Sequence, residues 1–323
     1  MTLYGKDRAV SLIRSMILRD RLPHAFIIFG EKGTGKKTLS KYIAKQILCQ
    51  EKAGIPCDKC ISCRKIDKNI HPDFITLMPG GKNGNYLSDE LRAIVSDAAV
   101  APNESDKKIY FLPDIDKSLP EAQNMLLKVI EEPPEHVIFI MTAEQKEKIL
   151  PTVLSRVISL GITEASPDDC QKALAEFGGD PKIAAEAVKI FGGNIGRCID
   201  YIENSGQIDY LTVVMNIISA ILLSDEFMLL SVLTSLDSKV GRENIFNVFS
   251  TFKEVLRDIS AARLGTSLCS VNKEGAAKLS ERIRQSDVER IYEAVSSAEK
   301  KIAGNCSVPL VMCQLSAVIA AYM

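Results

Sequence analysis

The chain has 323 residues, 46% of them apolar and 25% charged, which suits an ordinary soluble globular protein of roughly two or three domains. Its 40 basic and 41 acidic side chains leave a net charge of −1, which excludes a global basic field drawing it onto nucleic acid; any such contact must be local or shared with partners. No apolar run is long enough to span a bilayer, and the N-terminal "MTLYGKDRAVSLIR" lacks the apolar core of a signal peptide, so a cytoplasmic protein is expected, with its nine cysteines as thiols or metal ligands rather than disulfides.

In chain order, the first half alternates short apolar runs with helical patterns. "AFIIF" (25–29) enters a Gly-rich loop and then "KKTLSKYIAKQIL". Further strand-like runs follow at 73–79, 107–112 and 136–142, and a shorter one at 157–160. Between them lie "SDELRAIVSDAAV" and "AQNMLLKVIEE", which have helical periodicity. Strand, helix and strand at this spacing predict a parallel sheet with crossover helices.

After residue 160 the strands stop. "SPDDCQKALAEF" opens with Ser166 as N-cap and Pro167 at the first helical position. "GGDPKIAAEAVKIFGGNIGRCIDYI" reads as two short helices divided by glycines. From about 208 onward the apolar period is helical throughout, and the runs at 211–223 and 315–323 read as buried helices. The expected domains are an α/β domain at 1–163, a small helical domain at 164–206 and a helical C-terminal domain at 207–323.

The loop "GEKGTGK" is Gly30-x4-Gly35-Lys36, with Gly33 inside it. It follows a strand and opens a helix, the context of a phosphate-binding loop. Its glycines let backbone N–H groups wrap around phosphate oxygens at a helix N-terminus, and Lys36 would reach the terminal phosphates. The competing reading is a tight glycine turn with no ligand. One residue departs from the pattern. Where a Ser or Thr hydroxyl normally ligates Mg²⁺, the chain has Lys37, whose ammonium has no lone pair to give. Thr38 lies one step further on, rotated by about 100° around the helix.

The second Mg²⁺ anchor should be an Asp directly after the apolar run 109–112. Pro113 stands there, and Asp114 is one place late, which strand alternation would put on the other face. Both departures concern one ion, so the expectation is a site that has lost Mg²⁺-dependent hydrolysis while keeping a cradle able to hold ATP or ADP.

Cys49, Cys57, Cys60 and Cys63 have the spacing C-x7-C-x2-C-x2-C. Four thiolates around one ion would form a closed tetrahedral Zn²⁺ module at about 49–64, structural rather than catalytic. Free thiols and a redox C-x-x-C are the alternatives. Cys170, Cys198, Cys269, Cys306 and Cys313 are scattered at helical positions and read as small core residues. His24 and His71 read as packing or hydrogen-bonding residues, with a place near a nucleotide base as the alternative for His24, and "EQKEKIL" reads as a solvated face. "IEEPPE" reads as a helix stop, closed by Glu131 and Glu132 before Pro133 and Pro134. Lys36, Lys37, Lys41 and Lys45 could form a basic stripe on the helix they share. Arg156 reads either as a helix cap or as the partner of a surface carboxylate.

A cysteine module just after a phosphate-loop helix is an uncommon pairing. With "LPHAFIIFG", "HPDF" at 71–74, "NMLLKVIEEPPE" at 124–135 and "LPTVLSR" at 150–156, the chain resembles bacterial clamp-loader subunits of the AAA+ class, the gamma/tau and delta-prime subunits of DNA polymerase III. The resemblance covers about residues 1–200. It implies an AAA+ P-loop domain with an inserted zinc module, a small helical lid domain, and an all-α C-terminal collar. It also implies partners: gamma/tau and delta subunits, with the sliding clamp and primed DNA met through the complex.

The departures point within that family. The motor subunits carry Gly-Lys-Thr and an acidic residue where this chain has Lys37 and Pro113. The family's sensor-1 Thr falls near Ala143 or Glu144, and its sensor-2 Arg falls on Gly196, next to Arg197. Yet Ser155-Arg156 stands where the family has Ser-Arg-Cys, with Val157 for Cys, and there the Arg is a finger lent to the neighbouring subunit's ATP site. The resemblance therefore implies the delta-prime pattern, a non-hydrolysing stator. Two other expectations compete with it. One is an active motor in which Asp114 and Thr38 recover the metal; the other is a zinc-dependent nucleic-acid-binding module.

Overall fold

The computed structural model describes residues 3–80, 85–86, 88–203, 209–236, 242–265, 268, 273–304 and 306–323. The chain divides into two compact units, one formed by Met1–Ala173 with Asn194–Gly196, the other by Leu174–Gly193 with Arg197–Met323.

The first unit is built on a five-stranded, all-parallel sheet, in the order β2-β3-β4-β1-β5. The strands are β1 (Ala25–Phe29), β2 (Phe74–Thr76), β3 (Lys108–Leu112), β4 (Val137–Ala143) and β5 (Ile158–Gly161). Each falls on a run expected from the sequence. The central strands β3 and β4 are buried along their whole length, which is why they read as continuous apolar runs rather than alternating ones.

Period-two geometry sends their side chains to two cores. Phe26, Ile28, Ile109, Phe111, Ile138 and Ile140 face one way. There they pack on α1 (Asp7–Leu18), α2 (Lys36–Leu48) and α3 (Ile61–Asp67). Ile27, Tyr110, Leu112, Phe139 and Met141 face the other way. There they meet α4 (Ser88–Asp97), α5 (Pro120–Glu131) and the single turn α6 (Pro151–Leu154). The result is a three-layer sandwich.

The strand order sets up the site. Because β3, β4 and β1 are neighbours, the loops leaving their C-terminal ends lie side by side. Those loops begin at Gly30, Pro113 and Glu144, and a crevice at the carboxyl ends of parallel strands is where such sheets place ligands.

The remaining helices are α7 (Pro167–Phe177), α8 (Pro181–Phe191), α9 (Ile195–Glu203), α10 (Asp209–Leu223), α11 (Glu226–Thr234), α12 (Arg242–Arg263), α13 (Lys273–Arg282), α14 (Gln285–Ala303) and α15 (Val308–Ala320). Ser166 caps α7 as expected, its Oγ accepting from the Asp169 N–H at 3.1 Å. The core of the second unit is drawn from Val213 to Ile319, with Phe249, Phe252, Leu256 and Met312 at under 3% exposure. Among the described residues no helix is long and apolar enough to cross a membrane. Two of the cysteines expected in the core, Cys306 and Cys313, are exposed, because their positions fall on outward faces beside α15 and on it. Cys170 and Cys198 are buried as expected, and Cys269 lies outside the described residues.

Candidate functional site

The phosphate loop runs from Gly30 to Gly35 and hands over to α2. Gly35, the N-cap, has φ +88°, a left-handed conformation that a side chain would strain. Thr34 ties the loop on itself, its Oγ donating to the Glu31 carbonyl at 2.7 Å. Lys36 is buried, and its Nζ donates to the carbonyls of Gly30 at 2.7 Å and Glu31 at 2.9 Å. The same ammonium lies 3.5 Å from the Glu144 carboxylate. Glu144 follows β4, which ends at Ala143; the family resemblance put the sensor-1 threonine near one of these two residues.

Lys37 is exposed, and its Nζ lies 3.6 Å from Asp114 Oδ2. Asp114 does not follow strand alternation. The chain leaves β3 at Leu112, and Asp114 takes a left-handed conformation, φ +55°, before a short turn of 3-10 helix. That turn brings the carboxylate back to the phosphate-loop helix. Lys117 reaches the same oxygen from 3.5 Å. Two ammonium groups thus lie against the Asp114 carboxylate. Neither position where the sequence pattern expects an Mg²⁺ anchor supplies a free oxygen, since Lys37 offers no lone pair and Asp114 is already paired.

Neighbouring groups fix this frame. Asp116 is buried, and its Oδ2 accepts from the N–H groups of Glu144 and Gln145, both at 3.1 Å, which holds the end of β4. Thr142 Oγ accepts from the Asp114 N–H at 2.9 Å. The loop apex is held by Asn194–Gly196: Asn194 Nδ2 donates to the Lys32 carbonyl at 3.0 Å and the Gly196 N–H to the Gly33 carbonyl at 2.9 Å. A Cβ on Gly196 would sit 2.6 Å from Gly33 Cα, so only glycine permits this approach. Arg197, next in the chain, pairs with Glu254 at 2.8 Å. Sequence reasoning missed Lys6. It is buried, donates to the Thr163 carbonyl, and passes the N-cap of α2; burial lowers its pKa, outweighing the pull of Glu164. No motif marks it, because its partners are backbone and neighbours distant in sequence.

The cysteines expected to gather do so. The sulfurs of Cys49, Cys57, Cys60 and Cys63 all lie within 4.8 Å of one another. Tetrahedral thiolates around zinc, with Zn–S near 2.3 Å, stand about 3.8 Å apart, so the cluster fits such an ion. The backbone supports it: the Cys60 N–H points at Cys57 Sγ (3.3 Å) and the Cys63 N–H at Cys60 Sγ (3.4 Å). N–H groups of Lys59 and Cys60 bring the Cys57 thiol down to about 7. Burial pushes Cys49 and Cys63 up. A bound cation would reverse that for both.

The basic stripe expected on α2 does not form, since Lys36 and Lys45 are buried. Lys45, at 0% exposure, pairs with Asp58 inside the cysteine loop and with both oxygens of Asp67, at 2.9 Å, in the last turn of α3. Burial works against its charge, but the hydrogen bonds to Asp58 and Asp67 win and hold its pKa above the ordinary lysine value. The two histidines have structural places. His24 Nδ1 lies 3.4 Å from the Val137 carbonyl, and His71 Nδ1 accepts from the Asp73 N–H at 3.1 Å.

Arg156 follows α6. Its Nε pairs with Glu131 Oε1 at 2.7 Å, while Nη1 donates to the Thr152 carbonyl at 2.9 Å and to Ser155 Oγ at 3.0 Å. Both readings of this residue, helix cap and surface pair, describe contacts it makes. Its side chain is 38% exposed.

Comparison with known proteins follows the same lines. The family model described as "DNA polymerase III, delta subunit" matches residues 5–166. The chain is 33% identical over 201 residues to DNA polymerase III subunit gamma/tau of Mycoplasma pneumoniae, covering 62% of this chain and 28% of that one. It is 31% identical over 179 residues to DNA polymerase III subunit delta' of Bacillus subtilis, covering 55% and 54%. The chain thus spans about half the length or less of these curated relatives. A solved gamma subunit-related protein of Thermotoga maritima aligns over 97% of this chain and 99% of that one, at TM-score 0.41 and 13% identity. The match over half the chain shows that the chain belongs to the DNA polymerase III delta-subunit family, related to the gamma/tau subunits.

Proposed function

We propose that this chain is a delta-prime-type subunit of the clamp loader, a stator that hydrolyses no ATP and lends Arg156 to a neighbouring ATPase subunit while the sliding clamp is placed on primed DNA. The observation that carries the reading is the Lys37–Asp114 pair. An ammonium stands where Mg²⁺ would have to be held, and the carboxylate beside it is neutralised from two sides. Phosphoryl transfer in such sites depends on that ion to bridge and neutralise the phosphates. The cradle and Lys36 survive, so ATP or ADP can be held here without turnover.

Supplying an Arg in trans costs the donor nothing catalytic. In other systems a finger of this kind is worth about 10³–10⁵ in rate, because it neutralises charge that spreads over the γ-phosphate oxygens in the transition state. Partners in this proposal are the gamma/tau and delta subunits, with zinc structural in the Cys49–Cys57–Cys60–Cys63 module. The three-domain division at 163 and 206 belongs to the same proposal, with 207–323 as the oligomerising collar. Its support is that the core of the second unit begins at Val213.

Mg²⁺-ATP turnover tests the reading. The isolated chain is expected to be inert. A loader reconstituted with gamma/tau and delta, given clamp and primed DNA, is expected to slow when it carries Arg156→Ala in place of the native residue. Steady turnover by the isolated chain would establish the rival, an active gamma/tau-type motor in which Asp114 and Thr38 recover the ion.

A further inference from the structure

We infer that Glu131 is a positioning residue for Arg156, holding the guanidinium by its Nε edge so that the opposite nitrogen is left to meet a phosphate. The inference rests on the finger reading above and adds a second residue to it.

An arginine carries five N–H donors on a planar fork. Two are used, those on Nη1, which meet the Thr152 carbonyl at 2.9 Å and Ser155 Oγ at 3.0 Å. Nε lies 2.7 Å from Glu131 Oε1 as an ion pair, and Nη2 has no hydrogen bond among the described residues. The group is therefore held at Nη1 by hydrogen bonds and at Nε by charge, with Nη2 left open to water. Fixing the plane of the fork in advance is what lets an arginine bind phosphate with geometric specificity.

Glu131 is also oddly placed for a helix stop. It is the last residue of α5, where the unpaired carbonyls carry partial negative charge and disfavour a carboxylate. Pro133 and Pro134 already end the helix. A carboxylate at that end needs a cation, and the one it meets comes from a different element. Both partners are about 40% exposed, 38% for Arg156 and 44% for Glu131. A pair so open to water adds little to stability. Removing Glu131 should therefore leave folding alone and disturb the aim of the arginine.

The test uses the reconstituted loader, with clamp and primed DNA, carrying Arg156→Ala, Glu131→Ala, Glu131→Gln, Glu131→Asp, or Glu131→Ala with Arg156→Ala. Turnover is resolved into kcat and KM for ATP, beside melting of the isolated chain and gel filtration of the assembly. Glu131→Ala is expected to lower kcat about tenfold with KM unchanged, the loss that misplacement of a reacting group by a fraction of an ångström produces. Glu131→Asp should recover part of the rate, and the double variant should be no slower than Arg156→Ala. Melting and assembly should not move; if Glu131→Ala assembles poorly, Glu131→Gln gives the reading. A slow Arg156→Ala loader beside full-rate Glu131 variants would sink this inference and leave the finger standing. A Glu131→Ala loader faster than wild type would make Glu131 a restraint and overturn it as well. If Arg156→Ala has no effect, the finger reading itself falls.

Discussion

Asp73 shows how much one side chain organises without announcing itself. It is fully buried, yet its two oxygens collect the N–H groups of Asn103 at 2.6 Å, Glu104 at 2.8 Å and Ser105 at 2.9 Å. Burial alone would raise its pKa, but those backbone donors outweigh it and hold the carboxyl below the ordinary range. A depressed folded pKa contributes stability that is present above the unfolded value of about 3.9 and is lost as pH falls through the folded one. Asp73→Asn is therefore expected to cost about 2 kcal/mol at neutral pH. The gap from wild type should close below about pH 4. Melting curves at several pH values would show it, and a gap independent of pH would mean the ionised form is not what matters. The sequence showed "HPDF" as a motif but not why, because the loop that Asp73 gathers lies thirty residues away. Lys45 misled for a related reason: four lysines on one helix look like a solvated stripe until Asp58 and Asp67 fold over one of them.

At the scale of elements, the strands and the glycine loop between β1 and α2 were legible because their signals are local. Apolar runs of five to seven residues became β1, β3 and β4, and glycine spacing fixed the loop between β1 and α2. The cysteine cluster was legible for the same reason, its four sulfurs coming from within fifteen residues. What escaped was the turn after β3: a left-handed residue reverses direction, and no strand rule applies past Leu112. For the cysteine module, the expected metal content is about one zinc per chain, the capacity of a single four-thiolate site. Cys57→Ser or a chelator should remove it and lower the melting temperature, because binding energy in such a module is folding energy. Cys170→Ser, buried outside the cluster, should leave the metal content unchanged; equal loss from both variants would mean that the four sulfurs are no site.

The molecule as a whole is two compact units, and what was legible in the sequence is that strands stop at about 160, inside the first unit. Exact limits were not, because helix follows helix across 167–203 with no change in period. Since the second core runs from Val213 to Ile319, a fragment of residues 209–323 is expected to unfold in one cooperative denaturant transition, with a slope appropriate to its size. A broad, non-cooperative transition would mean that the C-terminal helices need the segments before Asp209 to complete their core.

Helix α2 begins at the glycine loop and ends at Cys49, its C-cap, so its 13 residues are a ruler of about 20 Å between that loop and the four-cysteine cluster. Each residue added or removed would turn one end against the other by about 100°. A change in its length would swing Lys36 and Cys49 away from their own partners at once, whatever side chains lie between them. Length is therefore constrained in this segment independently of the buried Leu39, Ile43 and Lys45 along it.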